Sequence, residues 1–281
     1  MEKHATVLSL RDALGRCEKS EGGVGFVPTM GALHQGHLSL VDMCKSMCKV
    51  VVVSVFVNPT QFNDKGDLER YPRTPEADLK MLESAGCDFV FMPSVEEIYP
   101  EEDKRIFDFG MLDKTMEGAF RPGHFNGVAQ VVSRLFDIVT PDKAFFGQKD
   151  FQQVAVIKNM VAQLRYNVEI VVAPIIRESD GLAMSSRNVL LNAGQRKSAA
   201  GISQALFAAQ SEAGKIPINI LKTKIISTID SDPELKTEYL EIVDSTTLQS
   251  VEEWDDAPEI FACVAVKVGK IRLIDNVKLM M

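Results

Sequence analysis

The chain has 281 residues, of which 46% are apolar and 25% charged, a balance typical of a globular protein with one large domain or two medium ones. Its 31 basic and 39 acidic residues give a net charge of −8 and form no Lys/Arg block, so we expect no nucleic-acid partner. The first residues lead into no long apolar run, and the longest such run, at 50–57, is too short to cross a bilayer. We therefore expect neither a signal peptide nor a membrane segment. The 5 cysteines are odd in number and form no Cys-x-x-Cys pair, a usage that fits a reducing cytoplasm, so we expect a cytoplasmic protein.

The first 173 residues alternate predicted helices with predicted strands. Apolar residues three or four apart indicate the helices, and short β-branched or aromatic runs between turn residues indicate the strands. The run from Val50 to Val57 is typical of a parallel strand that is buried on both faces. This alternation predicts an α/β fold, a Rossmann-like doubly wound parallel sheet. Helices are predicted at 5–19, from near 37 to 48, and at 75–85, 127–139 and 150–164, and strands at 24–28, 50–57, 89–92, 143–146 and 168–173.

The pattern changes in the last third of the chain. Two helices are predicted within 192–230, and strand-like runs follow, the last two joined by a predicted hairpin at 268–271. Helices followed by antiparallel strands predict a second, smaller α+β domain, so we divide the chain into residues 1–176 and 177–281. Residues 94–125 fit neither pattern, and we expect a long excursion that carries part of a site. The three predicted strands lie at 238–243, 259–268 and 271–275.

The turn after the first predicted strand is the most informative part of the sequence. Pro28 and Gly31 break the strand run, and an apolar-periodic helix begins near His37. His34 and His37 are two of only 4 histidines, and a strand, a glycine turn and a helix N-terminus form an anion site, because backbone N–H groups and the helix dipole point at the ligand. The alternative is that both are ordinary loop and first-turn histidines. A P-loop is excluded, because His37 and Leu38 stand where that motif requires Lys and then Ser or Thr.

Polar side chains follow several of the predicted strands, at the carboxyl ends where doubly wound sheets bind ligands. Each candidate also has a structural interpretation: Asn-Pro is a common turn signal, an acid three residues before Gln is a capping pair, and a lone cation is often merely solvated. The candidates are His34 and His37 after the first strand, Asn58 and Gln61 after the second, Lys149, Asp150 and Gln153 after a later one, and Arg177, Met184, Ser185, Ser186 and Arg187 after the last.

The combination of an early His-x-Gly-His with a late Met-Ser-Ser-Arg favours nucleotidyl transfer. A cationic side chain flanked by hydroxyl groups balances the charge that develops on a departing pyrophosphate, so positioning and electrostatics suffice for catalysis. In such a reaction a carboxylate or a phosphate attacks the α-phosphorus of ATP. The sequence contains no G-x-S-x-G elbow, no Cys/His nucleophile signature and no zinc-ligand spacing.

Six segments resemble the pantothenate synthetase family, in that family's order and over most of residues 24–190. Alone, His-x-Gly-His marks only the wider nucleotidyltransferase superfamily, whereas the six segments together are specific. The superfamily's late Lys-Met-Ser-Lys-Ser signature stands here as Ala-Met-Ser-Ser-Arg, which matches the pantothenate synthetase variant and leaves Lys149 and Arg187 to supply the charge. Beyond residue 190 the resemblance is mainly one of length and pattern. The segments are FVPTMGALHQGH (26–37), FVNPTQF (56–62), YPRT (71–74), RPGHF (121–125), FFGQKDFQQ (145–153) and RESDGLAMSSRN (177–188).

The resemblance implies an AMP-forming ligase that joins pantoate to β-alanine. Pantoate attacks ATP to give pantoyl-adenylate and pyrophosphate, with Mg²⁺ on the phosphates, and the amine of β-alanine then attacks the acyl carbon to give pantothenate and AMP. The resemblance also implies a homodimer and a C-terminal domain that acts as a lid. It fixes no metal ligand, although Asp150 is expected near the Mg²⁺.

The resemblance assigns three groups of residues, and it makes His37 the acid. The catalytic group is His34, His37, Lys149, Ser185, Ser186 and Arg187. The ATP-binding group is Met30, Gly31, Ala32, Leu33, His34, Gln35, Gly36, His37, Gly147, Gln148, Lys149, Asp150, Ile176, Met184, Ser185, Ser186 and Arg187. The group that binds pantoate or β-alanine is Asn58, Gln61, Arg121 and Gln153.

Two alternatives stay open from the sequence. Another His-x-Gly-His nucleotidyltransferase, acting on a different acid or a phosphate ester, would share the histidine site but would need a basic pocket where Gln61 and Gln153 stand. A non-catalytic nucleotide-binding or tRNA-interacting module is disfavoured by the acidic net charge.

Overall fold

The computed structural model describes residues 1–17, 22–63 and 65–280. The chain separates into two compact units. The first contains Met1–Phe109, Arg121–Gln148 and Gln153–Pro174, and the second contains Gly110–Phe120, Lys149–Gln152 and Ile175–Met281. Among the described residues, no helix combines the length and the apolar composition that a bilayer crossing needs. The predicted domains 1–176 and 177–281 stay a prediction.

The secondary structure alternates through the first two thirds of the chain, as predicted. The strands are β1 (Glu2–His4), β2 (Val24–Thr29), β3 (Val50–Val55), β4 (Phe89–Phe91), β5 (Lys143–Gly147), β6 (Glu169–Ala173), β7 (Leu235–Asp244), β8 (Ile260–Val268) and β9 (Ile271–Met280). The helices are α1 (Val7–Arg16), α2 (Gln35–Met47), α3 (Lys65–Arg70), α4 (Pro75–Ala85), α5 (Val95–Ile98), α6 (Met116–Phe120), α7 (His124–Val139), α8 (Phe151–Leu164), α9 (Ala193–Gln210) and α10 (Ile218–Asp230).

The first unit contains a six-stranded parallel sheet with the order β1-β4-β3-β2-β5-β6. Val51, Val52 and Val53 of β3 are at most 1% exposed, because a central parallel strand is covered on both faces. The chain order reverses at β2, whose neighbours are β3 and β5. The loops after β2 and β5 therefore start at the switch point, where doubly wound folds bind their ligands. This sheet and the smaller antiparallel one confirm the predicted fold class.

Several predicted boundaries differ from the structure. The helix predicted at 5–19 is α1, which ends at Arg16, and residues 18 and 19 lie outside the described part of the chain. The second helix begins at Gln35 and not near His37, because His34 is its N-cap. The strand β1 was missed, since three residues at a sheet edge carry no readable alternation. The predicted excursion at 94–125 contains the short helices α5 and α6 and the start of α7.

The second unit contains an antiparallel sheet with the order β7-β8-β9, as predicted for the last third. The strand β9 reaches Met280, well past the predicted end at 275. Val268 pairs with Ile271 across the predicted hairpin, where Gly269 has the left-handed φ of 58° that a tight turn requires. Apolar residues of α9 and α10 are buried with the strands in one core. Polar residues of β9 are buried too, and they bear on the candidate site.

Candidate active site

The loop after β2 is held by one buried carboxylate. Gly31 and Ala32 have left-handed backbone, with φ of 79° and 49°, which turns successive N–H groups to one side. The Asp78 carboxylate accepts hydrogen bonds from the N–H groups of Ala32 at 3.0 Å and Leu33 at 2.8 Å. Asp78 is 2% exposed and also accepts from the Thr74 hydroxyl at 3.0 Å. The sequence predicted that amides of this turn point at a ligand, whereas these two bind Asp78.

His34 and His37 cap the N-terminus of α2. The Nδ1 atom of His34 accepts from the Gly36 N–H at 3.1 Å, and the Nδ1 atom of His37 accepts from the His34 N–H at 3.3 Å. The ring centroids lie 4.1 Å apart. Because a backbone N–H can only donate, Nδ1 is the unprotonated nitrogen of each ring, and these contacts define neutral imidazoles that carry their proton on Nε2. Each ring therefore has an Nε2–H donor, a group suited to a phosphate oxygen.

Asn58 and Gln61 belong to the short 3-10 turn that follows β3. The Asn58 Oδ1 atom accepts from the Thr60 N–H at 3.4 Å, so the interpretation of Asn58 as a turn residue is confirmed. Its Nδ2 atom donates to Gln61 Oε1 at 3.2 Å and to the Gly127 carbonyl at 3.1 Å. The Gln61 Nε2 atom donates to the Met30 sulfur at 2.9 Å. The structure thus brings three predicted site residues, Met30, Asn58 and Gln61, into direct contact.

Arg121 is bound by a histidine to which the sequence assigned no role. The His124 Nδ1 atom lies 2.8 Å from the Gln61 carbonyl oxygen, and its Nε2 atom lies 3.1 Å from the Arg121 guanidinium. A carbonyl only accepts and a guanidinium only donates, so His124 is neutral with its proton on Nδ1. His124 is buried and connects Arg121 to Gln61, two predicted substrate-binding residues. Gly147 ends β5, Gln148 follows it, and Gln153 lies half-buried in the first turn of α8.

Two segments of the second unit are anchored to adjacent residues of β9. The Asn276 amide donates to the Lys149 carbonyl at 3.1 Å. Asp275 accepts two hydrogen bonds from the Arg177 guanidinium, at 2.7 and 2.9 Å, and both β9 residues are at most 4% exposed. Burial raises the pKa of Asp275, and the hydrogen bonds from Arg177 act in the opposite direction. The predicted nucleotide-binding residues of this unit are Lys149, Asp150, Ile176, Met184, Ser185, Ser186 and Arg187.

The Met-Ser-Ser-Arg segment has a defined backbone within the second unit. The Met184 N–H donates to the Ile176 carbonyl at 3.0 Å, which joins two of the predicted residues. Ser185 is the N-cap of the 3-10 turn Ser186–Leu190, and its hydroxyl accepts from the Arg187 N–H at 3.2 Å. Ser185 therefore caps this turn, and its hydrogen bond fixes the backbone that carries Ser186 and Arg187.

The described residues contain no group of three or more His, Cys, Asp or Glu side chains arranged to hold a metal ion. Asp150 is exposed on the turn Gln148–Asp150. A single accessible carboxylate fits the way in which Mg²⁺ is usually bound, by one or two carboxylates together with substrate phosphates and waters.

Three residues that position the candidate site have no role predicted from the sequence. Asp78 holds the loop after β2, His124 holds Arg121, and the Tyr99 hydroxyl donates to Asn58 Oδ1 at 3.0 Å. The signals for them were weak: an acid in the first turn of a helix, a histidine three residues after an arginine, and a tyrosine before a proline. Each residue is common in such a local setting, and its contact with a distant segment comes only from tertiary packing: Asp78 with Ala32, His124 with Gln61, and Tyr99 with Asn58.

Comparisons with known proteins agree along the whole chain. A sequence model of the family described as Pantoate-beta-alanine ligase matches residues 2–278. The pantothenate synthetase of Bacteroides thetaiotaomicron is 53% identical over 273 residues, which cover 97% of each chain. The crystal structure of pantothenate synthetase from Thermus thermophilus superposes with a TM-score of 0.94 at 44% identity, and each chain is fully covered. A Francisella tularensis pantoate-beta-alanine ligase, complexed with "Beta-gamma ATP and Beta-alanine", gives a TM-score of 0.83 at 35% identity, covering 99% of this chain and 98% of that one.

Proposed function

Because this chain belongs to the pantoate–β-alanine ligase family, we propose that it is an ATP-dependent ligase that condenses pantoate with β-alanine to form pantothenate. In the first step a pantoate carboxylate oxygen forms a bond to the α-phosphorus of ATP, and the bond to pyrophosphate breaks. In the second step the β-alanine amine attacks the acyl carbon of pantoyl-adenylate, AMP leaves with the electron pair of the broken C–O bond, and the amine loses a proton.

The arrangement of His34 and His37 is the observation that carries this proposal in the structure. Both Nδ1 atoms accept backbone N–H groups, so each Nε2–H is a donor at the N-terminus of α2, in the loop that follows β2. We propose that these donors bind the phosphates of ATP and stabilise the charge that grows on the departing pyrophosphate. We also propose that the residues from Met30 to Gly36 line the nucleotide site.

The residues that bind the acid are proposed to be Gln61 and Gln153, with Arg121 beside them. Amide groups suit an acid that has hydroxyl groups as well as a carboxylate, because buried amides left unpaired reject analogues that lack those groups. Arg121 supplies a positive charge, and the His124 ring that it contacts is neutral, so this contact does not offset that charge.

The nucleotide is proposed to bind Gly147 to Asp150, Ile176 and Met184 to Arg187, in addition to the loop after β2. Lys149 and Arg187 would supply the positive charge, with the hydroxyl groups of Ser185 and Ser186 beside it. Mg²⁺ would be held by the ATP phosphates with Asp150 as its protein carboxylate, and it would neutralise phosphate charge when bound. Pantoyl-adenylate is a mixed anhydride that water hydrolyses, so we propose that residues 177–281 form a lid domain that excludes water. We also propose a cytoplasmic homodimer.

Exchange of labelled pyrophosphate into ATP tests the proposal. The purified protein is incubated with ATP, Mg²⁺, pantoate and labelled pyrophosphate, without β-alanine. We expect label in ATP only when pantoate is present, because only a reversible adenylation returns pyrophosphate to ATP. Addition of β-alanine is expected to yield pantothenate and AMP in equal amounts. Exchange that depends on another acid or a phosphate ester, and not on pantoate, would overturn the assigned substrate.

A further inference from the structure

We propose that Tyr99 and Asn58 are positioning residues, which orient the side-chain amide of Gln61 so that it donates hydrogen bonds to the acid substrate and selects an acceptor oxygen at that point. The inference rests on the proposed function, in which Gln61 binds pantoate. It also gives Asn58 a role different from the predicted direct contact with substrate. The hydrogen bonds that support it link the backbone to Asn58, and Asn58 to both Gln61 and Tyr99.

The orientation of the Asn58 amide is fixed by two backbone groups. Its Oδ1 atom faces the Thr60 N–H, which can only donate, and its Nδ2 atom faces the Gly127 carbonyl, which can only accept. The Gly127 carbonyl reaches Asn58 because α7 passes close to the turn. A Cβ atom at Gly127 would lie 2.5 Å from the Thr60 carbonyl oxygen. Asn58 is 1% exposed, so a flipped amide would bury two mismatched pairs.

The fixed Asn58 amide determines which end of the Gln61 amide points away from it. Asn58 Nδ2 is a donor and lies 3.2 Å from Gln61, so the Gln61 atom at that contact is the acceptor Oε1. The Gln61 Nε2 group, with two N–H donors, therefore lies on the other side, where it meets the Met30 sulfur at 2.9 Å. A thioether is a weak acceptor. A carboxylate or hydroxyl oxygen would be a better partner for this nitrogen.

Tyr99 supplies the outermost hydrogen bond of this series. Its hydroxyl donates to Asn58 Oδ1 at 3.0 Å, which is shorter than the 3.4 Å bond that the same oxygen accepts from the Thr60 N–H. Burial raises the pKa of Tyr99, which keeps the phenol protonated and able to donate. The Arg134 guanidinium lies 5.1 Å from the centroid of the Tyr99 ring and donates to the Ile98 carbonyl at 3.2 Å, which holds the ring in place.

All three hydrogen bonds run in one direction: from the Tyr99 hydroxyl to Asn58, from the Asn58 amide to Gln61, and from the Gln61 amide outward. Donors in such a series polarise one another, so each bond strengthens the donor that follows it. Loss of the Tyr99 hydroxyl should therefore weaken the last donor without removing it. The expected effect is selective for the acid substrate, because Gln61 is the end of the series.

The test is a double-mutant cycle of Tyr99→Phe with Gln61→Ala, read as kcat/KM for pantoate and for ATP in the pyrophosphate exchange reaction. We expect Tyr99→Phe to lower kcat/KM for pantoate about threefold to tenfold, the scale of one hydrogen bond, and to leave the value for ATP within twofold. In the Gln61→Ala background, Tyr99→Phe should have no further effect. A merely structural role would give the same loss in both backgrounds and for both substrates.

The matched control is Tyr166→Phe. This tyrosine also belongs to the first unit and donates its hydroxyl to the Ser133 carbonyl at 3.1 Å and to Asp137 at 2.7 Å, so the same atom is lost from a different hydrogen-bonded setting. We expect no change in kcat/KM for pantoate from this control. Asn58→Ser is a second route to the same cycle if Tyr99→Phe fails to fold, because it breaks the series one residue closer to Gln61.

The outcomes separate the inference from the function on which it rests. Three results would overturn the inference alone. In the first, Tyr99→Phe lowers kcat/KM for pantoate in the Gln61→Ala background as well. In the second, it lowers kcat/KM for ATP equally, and in the third, it changes kcat/KM for pantoate in neither background. Wild-type protein without pantoate-dependent exchange overturns the proposed function, and the role of Tyr99 falls with it.

Discussion

Replacing Asp78 by Asn should destabilise the loop after β2 out of proportion to the small change in shape. Oδ1 of Asp78 accepts from the Leu33 N–H and the Thr74 hydroxyl, and Oδ2 accepts from the Ala32 N–H. An asparagine would keep its oxygen toward the two donors and turn its NH₂ group toward the Ala32 N–H. That contact sets two donors against each other in a site that is 2% exposed.

The cost follows from the kind of bond that is lost. A buried hydrogen bond to a charged group contributes about 1.5–3 kcal/mol, and the unpaired N–H adds part of its own desolvation. The left-handed backbone conformation of Ala32 costs a further ~1–3 kcal/mol, and the hydrogen bonds to Asp78 hold the residue in that conformation. We expect Asp78→Asn to lower the free energy of unfolding by about 2–4 kcal/mol, and to raise the KM for ATP because the loop carries His34 and His37.

Urea denaturation followed by circular dichroism measures the change, with Glu76→Gln as the control. Glu76 is exposed in the same first turn of α4, so both variants remove one negative charge from the same helix N-terminus. The dipole contribution, about 0.3–1 kcal/mol, is then common to both. If Asp78→Asn lowers the free energy of unfolding no more than Glu76→Gln does, and leaves the KM for ATP unchanged, Asp78 does not hold the loop.

Three further predictions concern catalysis, substrate binding and acid stability. His37→Ala and Lys149→Ala should each slow pyrophosphate exchange by roughly 10²–10³, the scale for one charge-stabilising donor; a folded variant with nearly full rate would remove that residue from the mechanism. Gln153→Ala should raise the KM for pantoate far more than the KM for ATP, and equal changes would contradict its assignment. Hydrogen bonds from Arg105 lower the pKa of Asp103, so this carboxylate stabilises the fold above its unfolded pKa of about 4 and the contribution is lost as pH falls below it. The difference in unfolding free energy between wild type and Asp103→Asn should thus be largest at neutral pH and shrink in urea titrations below about pH 4, whereas a difference that does not depend on pH would contradict the assignment.

The long periodic elements could be predicted from the sequence because one residue pattern determined each of them. The apolar stripe of α7 and the β-branched run of β3 are buried as predicted. Short elements at edges could not be predicted, since the strand β1 depends on its pairing with β4. Thr74 precedes α4 but makes no side-chain capping bond, and its hydroxyl donates to Asp78. Asp78 lies only four residues further along the same helix, and its other partners, the Ala32 and Leu33 N–H groups, could not be predicted from the local pattern.

The same distinction separates what was predicted of the candidate site from what was missed. His34 and His37 are close in sequence, so their spacing alone placed both at one helix N-terminus. Besides Asn58, three residues before it, Gln61 is bound by Met30 and His124, which lie 31 and 63 positions away in the sequence, and no local pattern links these residues. Sequence showed that Gln61 follows a strand, and only the packing of α7 against the turn shows which way its amide points.

The anchoring of two segments to β9 bears on how the protein can be engineered. Asp275 and Asn276 lie near the end of the sequence, yet they hold Arg177 and the backbone at Lys149. A C-terminal truncation that removed β9 would leave the Arg177 guanidinium without its carboxylate and the Lys149 carbonyl without this donor. Affinity tags and fusion partners are therefore better placed beyond Met280 through a flexible linker, so that the last strand keeps its register with β8.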